Sequence, residues 1–328
     1  MNLYRSVRAV ASASGDGVVD WGAAAEAAKG ATNPGSLDVS DEERAGYATD
    51  VRDARDRVGE VAGFEFELPD QIEVQHRHHW IDANVDTFER LMGPLADRMG
   101  LFPGVARVMN TGSTSVALGF LARHVLGQYD PLLLAEADPA DHGLYFVRPN
   151  IVRVSKELSV DYDRFRRWIA FHEVTHAAEF AAAPWLPDHL EASLEEAIEN
   201  LSDGSPWGMN LGGLDTTMTA VEGYAELLMD RAFDDEYADL RRKLERRRQG
   251  GSPFSKLIRR LLGLDLKRRQ YERGKEFFEA VADARGVEAA AAVWESPENL
   301  PTDGEIADPQ AWIARVDPTP GFSGPSRY

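Results

Sequence analysis

Apolar positions along this chain recur mostly at helical spacing. Trp21, Ala24, Ala25 and Ala28 fall three or four apart before Asn33-Pro34-Gly35 breaks the run. Asp38 or Ser40 can cap a next helix that carries Val51 and Val58 toward Gly63. Ile81, Val85, Phe88, Leu91, Met92 and Leu95 form one stripe of a helix over 81–99. Thr114 to Leu134 is apolar nearly all round, which predicts a buried helix interrupted near Gly127-Gln-Tyr-Asp-Pro131. Residues 188–202 form an acidic amphipathic helix, and a strong helix follows over 216–231 after a Gly/Ser/Pro/Asn-rich link. Strand-like alternation is rare. It occurs at Ile72 to His76 and in Leu144 to Ser155, the latter reading as two short strands around Pro149-Asn150. Helical pattern returns as far as Trp294, and the last thirty residues, rich in proline, are expected to wrap over the surface.

One helix carries unusual polar residues on its apolar frame. Asp161 or Asp163 offers an N-cap, Phe165, Trp168, Ile169 and Val174 point inward, and Pro184 ends the element. Within it lies His172-Glu173-Val-Thr-His176. Four-residue spacing puts both imidazoles on one face, about 6 Å apart along the axis, so both reach a single metal ion. Glu173 is then placed to take a proton from a water that the metal activates. A catalytic zinc wants three protein ligands and one open position. The best third candidate is Glu222, beside Gly223, whose missing side chain lets a neighbouring helix approach closely. One turn on, Glu226 can accept the outer N–H of a ligating histidine. Glu179 and Glu191 are rival ligands, the first too near its own helix-mates and the second on an exposed helix. Asn150, His189 and Tyr224 are candidate substrate contacts, and His142 has a weaker claim. His76-Arg77-His78-His79 is dense in imidazole but reads more simply as a turn than as a second metal site.

Charge narrows the function classes. The formal net charge is −19, with six lysines against thirty arginines. Such an acidic, lysine-poor surface suits a salt-adapted cytoplasmic protein, where high ionic strength screens self-repulsion. It argues against nucleic acid or an anionic membrane as the main partner. The basic run Arg241 to Arg248 is expected to pair with the chain's own acidic surface. With no cysteine, disulfides and thiolate zinc sites are excluded, which leaves His, Asp and Glu as ligands. No stretch reaches the ~18 apolar residues of a membrane span, and residues 1–20 make a poor signal peptide.

Phe146-Val-Arg-Pro-Asn-Ile151, Trp168 to Phe180, Pro184-Trp-Leu186 and Val221 to Asp230 resemble the zincin-like, zinc-dependent metallopeptidases of archaea and actinobacteria associated with deazaflavin coenzyme biosynthesis. Trp80 to Asn84, Val125 to Pro131, Leu261 to Asp265 and Gln270 to Gly274 extend the resemblance over roughly residues 20–315. It implies a zincin core with His172 and His176 as ligands, Glu173 as base and Glu222 as third ligand. It also implies a short sheet beside the metal helix, for which residues 144–155 are the candidate substrate-pairing strand, with Asn150 near the cleft.

The expectation is therefore an α+β, mainly α protein: a single large zincin-like domain over 1–328. A helical part (1–140), a metal-site core (141–235) and a helical C-terminal part (236–328) would follow one another. One zinc ion per chain would serve a gluzincin-like peptidase acting on a peptide or protein substrate. A zinc hydrolase of a non-peptide amide or small molecule and a non-catalytic zincin-like binding or scaffold protein are the alternatives.

Overall fold

Helices dominate the fold, as the period of the apolar positions requires. The structure, a computed structural model, describes residues 2–15, 17–98, 103–130, 142–202, 212–233, 237, 239–240, 242–243 and 264–319. In order its main elements are α1 (Leu3–Ala11), α2 (Trp21–Ala31), α3 (Asp41–Ala62), β1 (Gln71–Gln75), α4 (Arg77–Arg98), α5 (Pro103–His124) and β2 (Gly127–Asp130). β3 (Gly143–Val147), α6 (Arg148–Leu158), α7 (Tyr162–Ala182), α8 (Leu186–Ser202) and α9 (Gly212–Ala232) follow. After them come α10 (Leu264–Arg285), α11 (Val287–Ala290), two 3₁₀ turns, α12 (Asp303–Ala307) and α13 (Pro309–Val316). None of the described helices is long and apolar enough to cross a membrane.

The contacts group the chain into two compact units built from interleaved segments. One gathers Met1–Ser40 and Pro69–Val154. Its core sets the alanine face of α2 (Ala24, Ala25, Ala28) against Trp80, Ile81, Leu118, Ala122 and Val147. Small residues on α2 let the larger side chains of α4 and α5 close over it. The three-stranded sheet lies here in the order β1-β3-β2, with β1 parallel and β2 antiparallel to the fully buried β3. The other unit gathers Asp41–Leu68, Ser155–Ala197 and the helices from α9 onward. Sheet and His-Glu-x-x-His helix therefore belong to different units.

Three local expectations change. The second strand of 144–155 is helix α6, because Pro149 sits in its first turn, where a missing N–H costs nothing, and would break a sheet ladder. Asn150 is fully buried there. Its amide nitrogen donates to the carbonyls of Ala122 (2.8 Å) and Val125 (2.6 Å), and its oxygen accepts from Arg77 Nε at 2.8 Å. Asn150 thus seals the end of α5 and, with no exposed surface, is closed to substrate. The helix foreseen over 114–134 starts earlier and stops at His124. Of its remainder, Gly127–Asp130 forms β2, since the antiparallel pairing Tyr129↔Leu144 satisfies backbone groups that a helix broken at Gly127 would leave open, and 131–134 lie outside the described residues. Finally, the proline-rich tail is anchored as far as α13, where fully buried Trp312 stacks edge-on against Phe277 and donates to the Asn299 carbonyl at 2.7 Å.

The histidine-dense segment is a helix cap. His76 Nδ1 accepts the His79 amide at 3.0 Å at the start of α4, and His78 Nε2 bonds the Thr32 carbonyl at 2.8 Å. The basic run 241–248 lies mostly outside the described residues; Lys243 within it donates to the Ser159 carbonyl at 2.9 Å.

In the second unit α3 and α7 are tied by Arg166, which is nearly buried and donates to Asp50 and Asp163, both at 2.7 Å. Burial pushes the Asp50 carboxyl up, and the Arg166 hydrogen bond opposes that rise. α9 and α10 meet backbone to backbone. A Cβ added at Gly223 would lie 2.4 Å from the Gly274 carbonyl carbon, and one at Gly274 would lie 2.2 Å from the Thr219 oxygen. Neither neighbour is a flexible tip, so neither can yield. Gly274→Ala is expected to cost at least about 2 kcal/mol in denaturant unfolding. By contrast Gly304→Ala, whose new methyl would meet only Thr302 Oγ1 at 3.9 Å, should be neutral or slightly stabilising. Equal stabilities for the two variants would contradict this packing.

Candidate metal centre

Two helices of the second unit build the site. Asp161 accepts the Arg164 amide at 3.0 Å and sets the start of α7, and the element ends at Ala182, just before Pro184. Between those ends, Ile169, Ala170, Phe171, Val174, Ala177 and Ala178 are buried, so the rotation of α7 is fixed by its apolar face. That rotation leaves His172 and His176 half-buried, their ring centroids 4.8 Å apart and their planes at 74°. α9 packs against α7 with Val221, Ala225, Leu228 and Met229 all buried, and it brings Glu222, 4% exposed, to the same place.

His172, His176 and Glu222 each present one donor atom, and these atoms all lie within 4.8 Å of one another. Among the described residues they are the group so arranged. Two imidazoles and one carboxylate form the donor set that suits zinc, and three protein ligands leave the open position of a catalytic site. The residues present therefore fit the ion.

The imidazole of His176 is held from behind. Its Nδ1 is 2.7 Å from Oε2 of Glu179, a residue with no exposed surface. With Nδ1 on that carboxylate, Nε2 is the nitrogen left to serve as a ligand once the imidazole loses its second proton. The sequence pattern makes Glu179 a rival ligand and gives the orienting role to Glu226. The structure gives the bond on His176 to Glu179, and Glu226 stands half-buried one turn beyond Glu222. The sequence does carry a signal for this, because a residue three after His176 shares its helix face. A second feature escapes the sequence reading: the Trp168 ring stacks on His172, with centroids 5.6 Å apart and planes 6° from parallel.

Electrostatics bind these groups together. Burial disfavours the charged imidazole of His176, but the Glu179 hydrogen bond and the charges of Glu179, Glu222 and Glu173 outweigh it and raise its pKa to about 9. Burial raises the Glu179 carboxyl to about 7 against the pull of His176. Glu173, adjacent to His172, is 7% exposed.

The proposed substrate contacts fare differently. Tyr224 is fully buried, its ring packed edge-on against Phe278 and Trp294, so it is a core residue and cannot touch a substrate. Burial and the neighbouring Glu179 charge push its hydroxyl well above the usual range. Asn150 is consumed at the end of α5. His189 is half-buried and bonds Thr217 Oγ1 through Nε2 at 3.1 Å. Because the Thr217 hydroxyl donates to the Gly213 carbonyl, His189 must be the donor, which links α8 to α9. Glu191 lies half-buried on α8 and is not one of the three clustered ligand candidates.

A profile of zincin-like metallopeptidases matches residues 19–206 and 208–313. The chain belongs to that family. It is also similar, at 30% identity and a TM-score of 0.69, to a crystal structure from Chloroflexus aurantiacus described as a candidate hydrolase with a novel fold. The match covers 97% of this chain and 99% of that one. No functionally curated protein matches. The zincin-like family agrees with the resemblance read from the sequence, while the deazaflavin association finds no counterpart in these matches. The mainly helical fold with a small mixed sheet accords with the family.

A resting imidazole that holds a proton up to about pH 9 must surrender it when a metal binds. Zinc added to the metal-free protein at pH 7 should therefore release a proton into weak buffer. Affinity should rise about tenfold per pH unit from 7 and flatten near 9. A flat profile across that range contradicts the assignment. Glu179→Ala, which removes the orienting carboxylate, should weaken zinc binding by roughly 10–100-fold, and Glu179→Gln by less.

Proposed function

We propose that this chain is a zinc-dependent peptidase of gluzincin type that hydrolyses peptide bonds in peptide or protein substrates. The observation that carries this reading is the convergence of His172, His176 and Glu222 with buried Glu173 beside them. A purely structural metal site has no use for that fourth group. Membership of the zincin-like metallopeptidase family supports the substrate class.

In this reading His172, His176 and Glu222 hold one zinc ion. When bound, the ion supplies Lewis acidity that polarises an amide carbonyl and lowers the pKa of a water to ~7. The chain's own residues do the rest. Glu173 takes a proton from the attacking water and delivers it to the amine nitrogen as the C–N bond breaks. Its low exposure keeps bulk water from competing for that proton. Glu179 positions His176 through Nδ1, so the imidazole cannot turn away during the reaction. Trp168, stacked on His172, restrains that ring in the same manner and supplies an apolar wall beside it.

Two variants separate chemistry from binding. Glu173→Gln should retain stoichiometric zinc and lose turnover on a fluorogenic peptide mixture by roughly 10²–10⁴-fold. Full activity in this variant sinks the proposed base. Glu222→Ala should lose stoichiometric zinc by elemental analysis. If it keeps the metal, a different carboxylate closes the site.

A further inference from the structure

An apolar groove of about 470 Å³ opens in the first unit, outside anything used by the metal site. α1, α2 and α5 frame it, and its walls include Val7, Val10, Val108, Val116 and Gly112, with Arg123 among the lining residues. Val7 is 67% exposed and Val116 53%, large apolar side chains held out toward solvent on facing helices. The hydroxyls of Ser6 and Ser115, also in the lining, are spent on the carbonyls of Ala27 (2.8 Å) and Gly112 (2.7 Å). The guanidinium of Arg123 is the ionised group of the lining.

Arg123 is short of negative charge. Its side chain donates to Thr32 Oγ1 at 3.3 Å, and it has no carboxylate partner among the described residues. Close by, Arg77 spends its guanidinium on three neutral oxygens, those of Asn150, Asn33 and Pro149, again with no carboxylate among the described residues. Burial, together with the charges of Arg153 and Arg123, holds Arg77 below its ordinary pKa, and burial does the same to Arg123. The groove thus joins an apolar channel of ligand size to an uncompensated positive end.

We propose that this groove binds a long-chain carboxylate, a single acyl chain lying between α1 and α5 with its head group at Arg123. The apolar walls reward burial of a methylene chain. A single guanidinium in the lining matches a single negative charge, and a charge-assisted hydrogen bond to a carboxylate would supply what the neutral partners of Arg123 do not. This site is independent of the zinc reading.

The test is calorimetric titration of the full chain with dodecanoate, with dodecanol and dodecyltrimethylammonium as neutral and cationic probes. One dodecanoate per chain is expected, bound tighter than either control. Arg123→Gln should weaken dodecanoate about tenfold or more and remove its advantage over dodecanol, and Arg123→Lys should recover part of the loss. Gly112→Leu puts a side chain into the groove from a position where a Cβ meets only Val10 Cγ1 at an ordinary 3.5 Å. This variant should abolish binding while the melting temperature stays level or rises. The proposal is overturned by absence of saturable binding, by equal uptake of the cationic probe, or by unchanged binding in Gly112→Leu. It is equally overturned if sedimentation shows a dimer that Gly112→Leu disperses and that takes up no dodecanoate.

Discussion

The candidate metal centre depends on two helices being allowed to touch without side chains between them. Gly223 and Gly274 put the backbones of α9 and α10 in direct contact, at the residue next to Glu222. A Cβ at either position would meet backbone atoms at 2.4 or 2.2 Å, so one of the two helices would have to shift. On its other side α9 packs against α7, which carries the two histidines. The distance between Glu222 and the imidazoles is thus set by a glycine contact at the very next residue. Tyr224, one residue further on, contributes in the same sense. Its fully buried ring between Phe278 and Trp294 fixes the rotation of α9 as well as its position.

Three carboxylates gather around one imidazole in this arrangement. Glu173, Glu179 and Glu222 all raise the proton affinity of His176, and all three are buried or nearly so. Such a cluster is unfavourable by itself, because each charge loses hydration and repels the others. Protonation of His176 offsets part of that cost in the metal-free protein, and a divalent cation would offset more. In the metal-free protein the three carboxylates hold a proton on His176. The helices around the cluster are held by contacts elsewhere. Arg166 of α7, which donates to Asp50 of α3 and is steadied by Asp163 on its own helix, makes one of those contacts.

Much of this is legible in the order of the residues. Helix α7 can be read because its cap, apolar period and terminating proline agree, and Glu222 because Gly223 beside it announces a close approach. What escapes are features that depend on what lies opposite. Pro149 reads as a break between strands until it is seen in the first turn of α6, and Asn150 reads as a cleft residue until the α5 carbonyls are placed against it. Tyr224 shares its helix with Glu222, so proximity in sequence makes it a plausible substrate contact. Helical geometry turns it into the core instead. Glu179 stands out on the metal helix, but its role follows from which imidazole nitrogen it faces, and spacing alone does not decide that. The division into two interleaved units is not encoded in any local pattern, since it arises from contacts between segments far apart in sequence.

The partners of the arginines carry a further argument. Acidic residues outnumber basic ones by 55 to 36, so a guanidinium on this chain has carboxylates in abundance. Arg166, Arg167, Arg273, Arg285 and Arg315 each find one. Arg77 and Arg123, by contrast, are turned toward carbonyl, amide and hydroxyl oxygens. That no carboxylate among the described residues reaches these two half-buried cations costs stability in a protein with so many to spare. Burial already lowers the proton affinity of both, so the local field is not relaxed by the fold itself. A helix C-terminus favours a cation at Arg123 and accounts for part of its placement. It does not account for an apolar channel ending at the same residue. Positive charge left uncompensated beside exposed valines is the arrangement that an anionic amphiphile would neutralise and cover at once.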